Sequence, residues 1–156
     1  MERTAATVHK LLISRRKTVS VAESCTGGLV SSLLTGLAGS SAYFMLGAVV
    51  YSNKAKQTVL GIRAPLLKRW GAVSSPVAEE MARAVRRLAK TDYGMGITGI
   101  AGPAGGSREK PVGTVFIAVA GKRRVLCRKF LFKGDRAGIQ KQAAGQALRL
   151  LKNFLS

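Results

Sequence analysis

The stretch T-V-S-V-A-E-S-C-T-G-G, Thr18 to Gly28, decides how the chain is read. Thr18 to Ala22 alternate in the manner of a strand. Glu23 to Gly28 supply the polar residues and paired glycines of a turn. Residues 27–37 continue as a helix of small and apolar residues that ends near Gly39. A strand, a turn and a helix in direct succession open an α/β pattern, and the flanking sequence repeats it.

Before this stretch, Ala5, Val8, Leu11 and Leu12 fall at helical spacing over residues 4–15. After it, residues 43–51 read as a second strand, and Asn53 is placed to cap a helix over 54–60 that Gly61 stops. A longer helix is expected over 76–90, with Ser75 as N-cap and Pro76 in first position. Glu79 and Glu80 lie early in it and Arg86, Arg87 and Lys90 late, as the helix dipole favours. Val77, Met81, Val85 and Leu88 are its expected buried stripe. Residues 92–98 form a strand that opens into a glycine-rich loop, and 112–120 with 124–132 form a hairpin around Gly121–Lys122. Asp135 caps a last helix, 136–155, with Ile139, Ala143, Ala147, Leu150, Leu151 and Phe154 inward. The sum is one α/β domain over residues 1–156, in three layers, with a mixed, mostly parallel sheet carrying one antiparallel strand. Ligands of such sheets gather at the carboxyl ends of the strands.

Composition narrows the chemistry. The chain has 156 residues, enough to bury about two-thirds of its unfolded surface. No apolar run approaches the ~18–20 residues of a membrane helix. Arg15, Arg16 and Lys17 interrupt any signal-peptide core, so a cytoplasmic location is expected. Cys25 and Cys127 match no metal-ligand spacing and are expected as free thiols. The only histidine, His9, sits on the first helix, which argues against a Ser-His-Asp triad and excludes a histidine-rich metal site. Twenty-six Lys and Arg against seven Asp and Glu give a net charge of +19, a field that attracts anions. Three basic clusters stand out: Arg15–Arg16–Lys17, Arg86–Arg87 with Lys90, and Lys122–Arg123–Arg124.

Four segments carry groups that can react or bind. In A-E-S-C-T-G-G, Ser24 can present a hydroxyl, and the N–H groups of Cys25, Thr26, Gly27 and Gly28 can hold an oxyanion or a phosphate. Equally, Ser24 or Thr26 can cap the helix, and Cys25 is a rival nucleophile. In Y-S-N-K-A-K, Lys56 can serve as base if burial and the nearby charge of Lys54 lower its pKa, and Tyr51 can relay a proton. A solvated helical lysine and a core tyrosine are the plain alternative. In Gly96 to Thr114, glycines including Gly102, Gly105 and Gly106 let backbone N–H groups approach a ligand, with Ser107 and Lys110 as further donors. The spacing fits neither the Walker nor the dinucleotide pattern. In F-K-G-D-R, Arg136 suits a phosphate.

The strings A-E-S-C-T-G-G, G-A-V-V-Y-S-N-K-A-K, G-A-V-S-S-P-V-A-E-E-M-A, G-I-T-G-I-A-G-P-A-G-G-S-R-E-K-P-V-G-T-V and F-K-G-D-R occur in this order. Together they resemble the CinA C-terminal domain family, from about Thr18 to the last helix. The resemblance implies an α/β/α sandwich and hydrolysis of nicotinamide mononucleotide to nicotinate mononucleotide and ammonia. It also implies a serine–lysine–tyrosine arrangement, which falls here on Ser24, Lys56 and Tyr51, with no cofactor and no metal. The chain is similar to the stand-alone form, without the molybdopterin-binding-like domain of larger members. It departs from many relatives at Ala104, where they carry an acidic residue, and at Lys54, where they commonly carry an acidic or other non-basic one. A mononucleotide substrate and a homo-oligomer are the expected partners. The rival expectation is a catalytically weak member acting as a cationic nucleotide- or nucleic-acid-binding module. The charge favours that rival, while an aromatic content of 6% with no ring among the basic clusters opposes it.

Overall fold

The structure, a computed structural model, describes residues 1–156. Eleven regular elements follow in order: α1 (Glu2–Ser14), β1 (Val19–Glu23), α2 (Leu29–Thr35), β2 (Phe44–Val49), α3 (Asn53–Leu60), α4 (Ala64–Trp70), α5 (Ser75–Ala89), β3 (Tyr93–Gly99), β4 (Thr114–Ala120), β5 (Val125–Leu131) and α6 (Arg136–Leu155). A short 3-10 turn, Ser40–Ala42, leads into β2. The sheet order is β2-β1-β3-β4-β5. β1 pairs in parallel with β2 and β3, whereas β4 pairs antiparallel with β3 and β5. Only β4 therefore runs against the other four strands, and the sheet is mixed as expected.

Helices cover both faces. α1, α2 and α6 close the larger core around Leu12, Leu34, Ile97, Ile117, Leu148 and Leu151. α3, α4 and α5 close the other around Leu60, Ile62, Met81 and Val85. β1 is consequently buried at every position, and its alternation does not separate a wet face from a dry one. Of the two polar residues this traps, Ser20 shares a 2.8 Å hydrogen bond with Thr91, so its hydroxyl is satisfied; Glu23 turns to the start of α2.

α5 lies unusually close to β3. A Cβ added at Gly94 would stand 2.1 Å from the carbonyl of Ala82, and one at Gly96 would stand 2.2 Å from that of Ala78. Glycines in the strand and alanines on the helix let the two backbones meet. Alanine therefore shares the buried face of α5 with Val77, Met81 and Val85, while Leu88, expected inside, is 53% exposed. Two caps fall one residue earlier than expected. Ser52, not Asn53, caps α3 by accepting from the Ala55 N–H at 3.0 Å. Ser74 precedes α5, and the Ser75 hydroxyl instead donates to Glu79. Asp135 caps α6 as expected, accepting from the Gly138 N–H at 2.8 Å.

Candidate active site

Ser24 follows β1 directly at the carboxyl edge of the sheet, and its N–H continues the ladder to the carbonyl of Ile97 at 2.9 Å. The side chain is 7% exposed. Lys56 arrives from α3, which starts right after β2, the strand beside β1. It lies on the first turn of that helix and points inward, with 1% of its surface exposed. Its amine is 3.1 Å from the Ser24 hydroxyl oxygen, 2.9 Å from the Val50 carbonyl and 3.3 Å from the Tyr51 carbonyl. The two loops thus meet on one lysine nitrogen.

No carboxylate pairs with this lysine; the chain's three ion pairs are Lys17–Asp92, Arg83–Glu79 and Arg87–Glu80. Burial pushes the Lys56 amine below its ordinary value, and the nearby Cys25 opposes this. Lys54, expected to contribute, is exposed and has no part in the shift. The surroundings suit both protonation states. As an ammonium, Lys56 donates to the serine oxygen and two carbonyls. As a neutral amine, it donates to the carbonyls and turns its lone pair to the serine O–H. A proton can pass between the two groups without leaving a polar atom unpaired.

The turn after Ser24 differs from the expectation of four free backbone donors. Glu23, fully buried, folds its carboxylate forward onto the start of α2. It accepts from the N–H groups of Gly28 (3.1 Å), Val30 (3.1 Å) and Ser31 (2.8 Å), and from the Ser31 hydroxyl at 2.7 Å. Gly27 donates to the Ser24 carbonyl at 3.1 Å. Gly27 and Gly28 are therefore committed, and the helix already holds its anion. The N–H groups of Cys25 and Thr26 are the donors left beside Ser24. Gln140 of α6 anchors this turn through the Cys25 carbonyl at 2.8 Å. The Thr26 hydroxyl is buried without a partner. Burial pushes the Cys25 thiol up to about 12, which disfavours the thiolate that a rival nucleophile would need. His9 packs edge-on against Tyr43 on the other side of the core and has no part here.

Tyr51 departs from the proton relay expected of it. Its carbonyl serves Lys56 and lies 3.5 Å from the Ser24 hydroxyl, but its side chain is 57% exposed. The phenol oxygen accepts from Arg136 at 2.6 Å and makes no hydrogen bond to Ser24 or Lys56. Arg136 also donates to the Gly102 carbonyl at 2.8 Å, which ties the glycine-rich loop to the mouth of the site. Gly102 and Gly105 hold left-handed backbone there, at φ +77° and +90°, and a Cβ on Gly106 would strike the backbone of Val112. Ser107 and Lys110 close a turn on each other instead of facing Ser24, and the Lys110 amine reaches the Trp70 carbonyl at the end of α4. Beside the Thr26–Leu29 turn, a cleft of about 420 Å³ opens toward Gln140 and Lys141 of α6.

These features define a three-layer α/β domain with a buried lysine on a serine hydroxyl at the carboxyl end of its sheet. The CinA C-terminal domain model matches residues 1–155, and the chain belongs to that family. It is 50% identical over 151 residues to a CinA-like protein of Anaeromyxobacter sp. (strain Fw109-5), covering 97% of this chain and 37% of that protein. It is 50% identical over 150 residues to a CinA-like protein of Syntrophus aciditrophicus, covering 96% and 36%. The chain thus spans little more than a third of the length of these curated relatives. Among solved structures, the competence/damage inducible protein CihA from Agrobacterium tumefaciens superposes with a TM-score of 0.97 at 37% identity, covering 99% of this chain and 95% of that one. The competence damage-inducible protein A from Klebsiella pneumoniae gives 0.95 at 34%, covering 99% and 96%.

Proposed function

We propose that this chain is an amidohydrolase that deamidates nicotinamide mononucleotide to nicotinate mononucleotide and ammonia, with Ser24 as nucleophile and Lys56 as base. The observation that carries the reading is the 3.1 Å contact between a serine hydroxyl and a buried lysine amine that has no carboxylate partner. Serine needs a base to attack an amide, and a lysine whose charge is disfavoured by burial supplies one without histidine. The proton of Ser24 passes to Lys56 as the oxygen attacks the carboxamide carbon, which the pyridinium ring makes electrophilic. The N–H groups of Cys25 and Thr26 stand next to the nucleophile to receive the oxyanion, a contribution of roughly 3–4 kcal/mol for a good donor. Lys56 returns the proton to the departing ammonia. Water, deprotonated by the same amine, then hydrolyses the acyl-enzyme.

The substrate's phosphate is assigned to Arg136. A guanidinium on the first residue of α6 opposes the helix dipole, and its partners are a phenol and a carbonyl, with no carboxylate. An anionic ligand at the mouth of the site would compensate both. The loop of Gly102, Gly105 and Gly106 adds backbone close to that position. No helix is long and apolar enough to cross a membrane.

The test is ammonia release from nicotinamide mononucleotide by the native chain and by Ser24→Ala. Release by the native protein and its loss in the variant are expected. A variant that works at the normal rate overturns the nucleophile.

A further inference from the structure

The basic clusters of the sequence come together far from Ser24. Arg86 lies against Gly94 at the amino end of β3, where a Cβ on the glycine would meet the Arg86 Cβ at 2.6 Å. The register pairs Gly94 with Ala120 and Ala120 with Val125, so the turn between β4 and β5 lies at the same edge. Ser24 bonds to Ile97, toward the opposite edge. From Gly94 to Gly99 the strand spans roughly 17 Å.

At this amino edge α5 and the hairpin turn bound a cleft of about 220 Å³. Arg83, Arg86 and Arg87 line it from the helix, and Lys122, Arg123 and Arg124 from the turn. Val125 is its only apolar side chain, and no acidic residue lines it. Some of this charge has a structural purpose. Arg83 and Arg87 pair with Glu79 and Glu80 along the helix. Arg124 donates to the Phe154 carbonyl at 2.9 Å and stacks on that ring, and Arg15 donates to the Leu155 carbonyl, so both cap the end of α6. Arg86 spends one N–H on the Asp92 carbonyl at 2.9 Å and aims the rest of its guanidinium at the cleft. Lys122 and Arg123 are exposed at the tip of the turn and enter no ion pair. Helix capping does not account for them.

We propose that this cleft binds the phosphodiester backbone of a nucleic acid, without reading its sequence. Six cations in one open groove match several phosphates better than one. With a single apolar residue and no aromatic ring in the lining, the groove offers no platform for a base, so contact with sugar and phosphate is what it fits. Arg15, at the end of α6, extends the positive edge beyond the cleft. The inference uses none of the residues of the amidohydrolase reading, and the two stand or fall separately.

The test is a titration of a labelled, mixed-sequence DNA duplex with the native chain across a salt series that includes about 0.15 M. Binding is expected at that salt, with log K falling linearly in log salt by about 0.9 per phosphate neutralised. Lys122→Glu with Arg123→Glu should weaken it at least about tenfold and reduce the slope by about two. Lys68→Glu with Arg69→Glu on α4 removes the same charge elsewhere and should change it less than about threefold. Equal losses in the two variants overturn the site in favour of a diffuse field. Failure of the native chain to bind DNA, with or without saturable binding of tripolyphosphate, overturns it as well. Hydrogen exchange on the native chain tests the location without substitutions. Protection by the duplex is expected at 121–125 and the end of α5, and protection confined to the Ser24 turn overturns the proposal.

Discussion

The two ends of the sheet use the same kind of side chain in opposite ways. At the carboxyl end one lysine is 1% exposed, faces a serine and two carbonyls, and is pushed toward its neutral form. At the amino end six lysines and arginines stand around a cleft open to water. Desolvation is the difference. A buried amine loses the hydration that holds its proton and becomes a base, whereas a solvated one remains a fixed charge that attracts anions. A net charge of +19 therefore says little until each cation is assigned to an end of the molecule.

The comparison breaks most visibly through the reacting pair. Ser24→Ala and Lys56→Met should each lower kcat/KM for ammonia release by about a thousandfold or more, and the double variant should be little worse than either single one. Lys122→Glu with Arg123→Glu should leave the same rate within about twofold, since ionic screening at about 8 Å separates the two ends. Ammonia assays on purified variants decide both points. The pH profile sharpens the contrast. The base must be neutral, so the rate should rise with pH through a value below the ordinary 10.5 of lysine. The same depression makes folding expel a proton between the lowered value and 10.5. Stability linked to Lys56 is thus present above 10.5 and lost as pH falls through the folded value. Lys56→Met should abolish that slope in denaturant titrations, while charge reversal at the amino end should leave it.

Glu23 carries the next largest expectation. One buried carboxylate satisfies three backbone N–H groups and a hydroxyl at the start of α2. Glu23→Ala orphans all four and should destabilise the fold by about 3–5 kcal/mol. Glu23→Gln keeps an acceptor but forfeits the charge, and should fall between the two in thermal melts. Its activity loss should follow from displacement of the Ser24 turn, with kcat falling before KM.

Much of this was legible from the residues alone. The periods and turns gave the three layers, the hairpin and the single antiparallel strand, because each rests on local chemistry such as the Gly61 stop or the Asp135 cap. Residues 64–70 carry no periodic apolar stripe that marks α4, though Pro65 in its first turn and Lys68 and Arg69 in its last are start and stop signals. Leu88 stands outside although helical spacing places it inside: the close approach of α5 to Gly94 and Gly96 favours small side chains such as Ala78 and Ala82 on the buried face, a fit between elements that spacing does not encode. The Ser24–Lys56 pair follows from the family resemblance; spacing alone leaves Lys56 open to solvent. The residues alone place Glu23 in a turn, because its four partners lie five to eight residues ahead at the start of a helix whose direction only the fold fixes. The Tyr51 hydroxyl is a related case: a strand-end residue can aim its carbonyl and its side chain at different partners, here Lys56 and Arg136.

Tyr51→Phe has the smallest expected effect and separates two mechanisms. A phenol that protonates the leaving group in the transition state contributes roughly a hundredfold or more. Here the phenol lies on Arg136 at the exposed mouth, while the Tyr51 contribution to Lys56 comes through the backbone carbonyl, which phenylalanine retains. Tyr51→Phe should therefore lower kcat/KM by less than about tenfold, mostly through KM, as the freed guanidinium holds the substrate phosphate less well. Arg136→Gln should raise KM further and leave kcat nearly unchanged. A hundredfold fall in kcat with Tyr51→Phe would mean that the phenol swings from Arg136 onto the reacting atoms during turnover. The carboxyl end would then need three side chains where the present geometry brings together two.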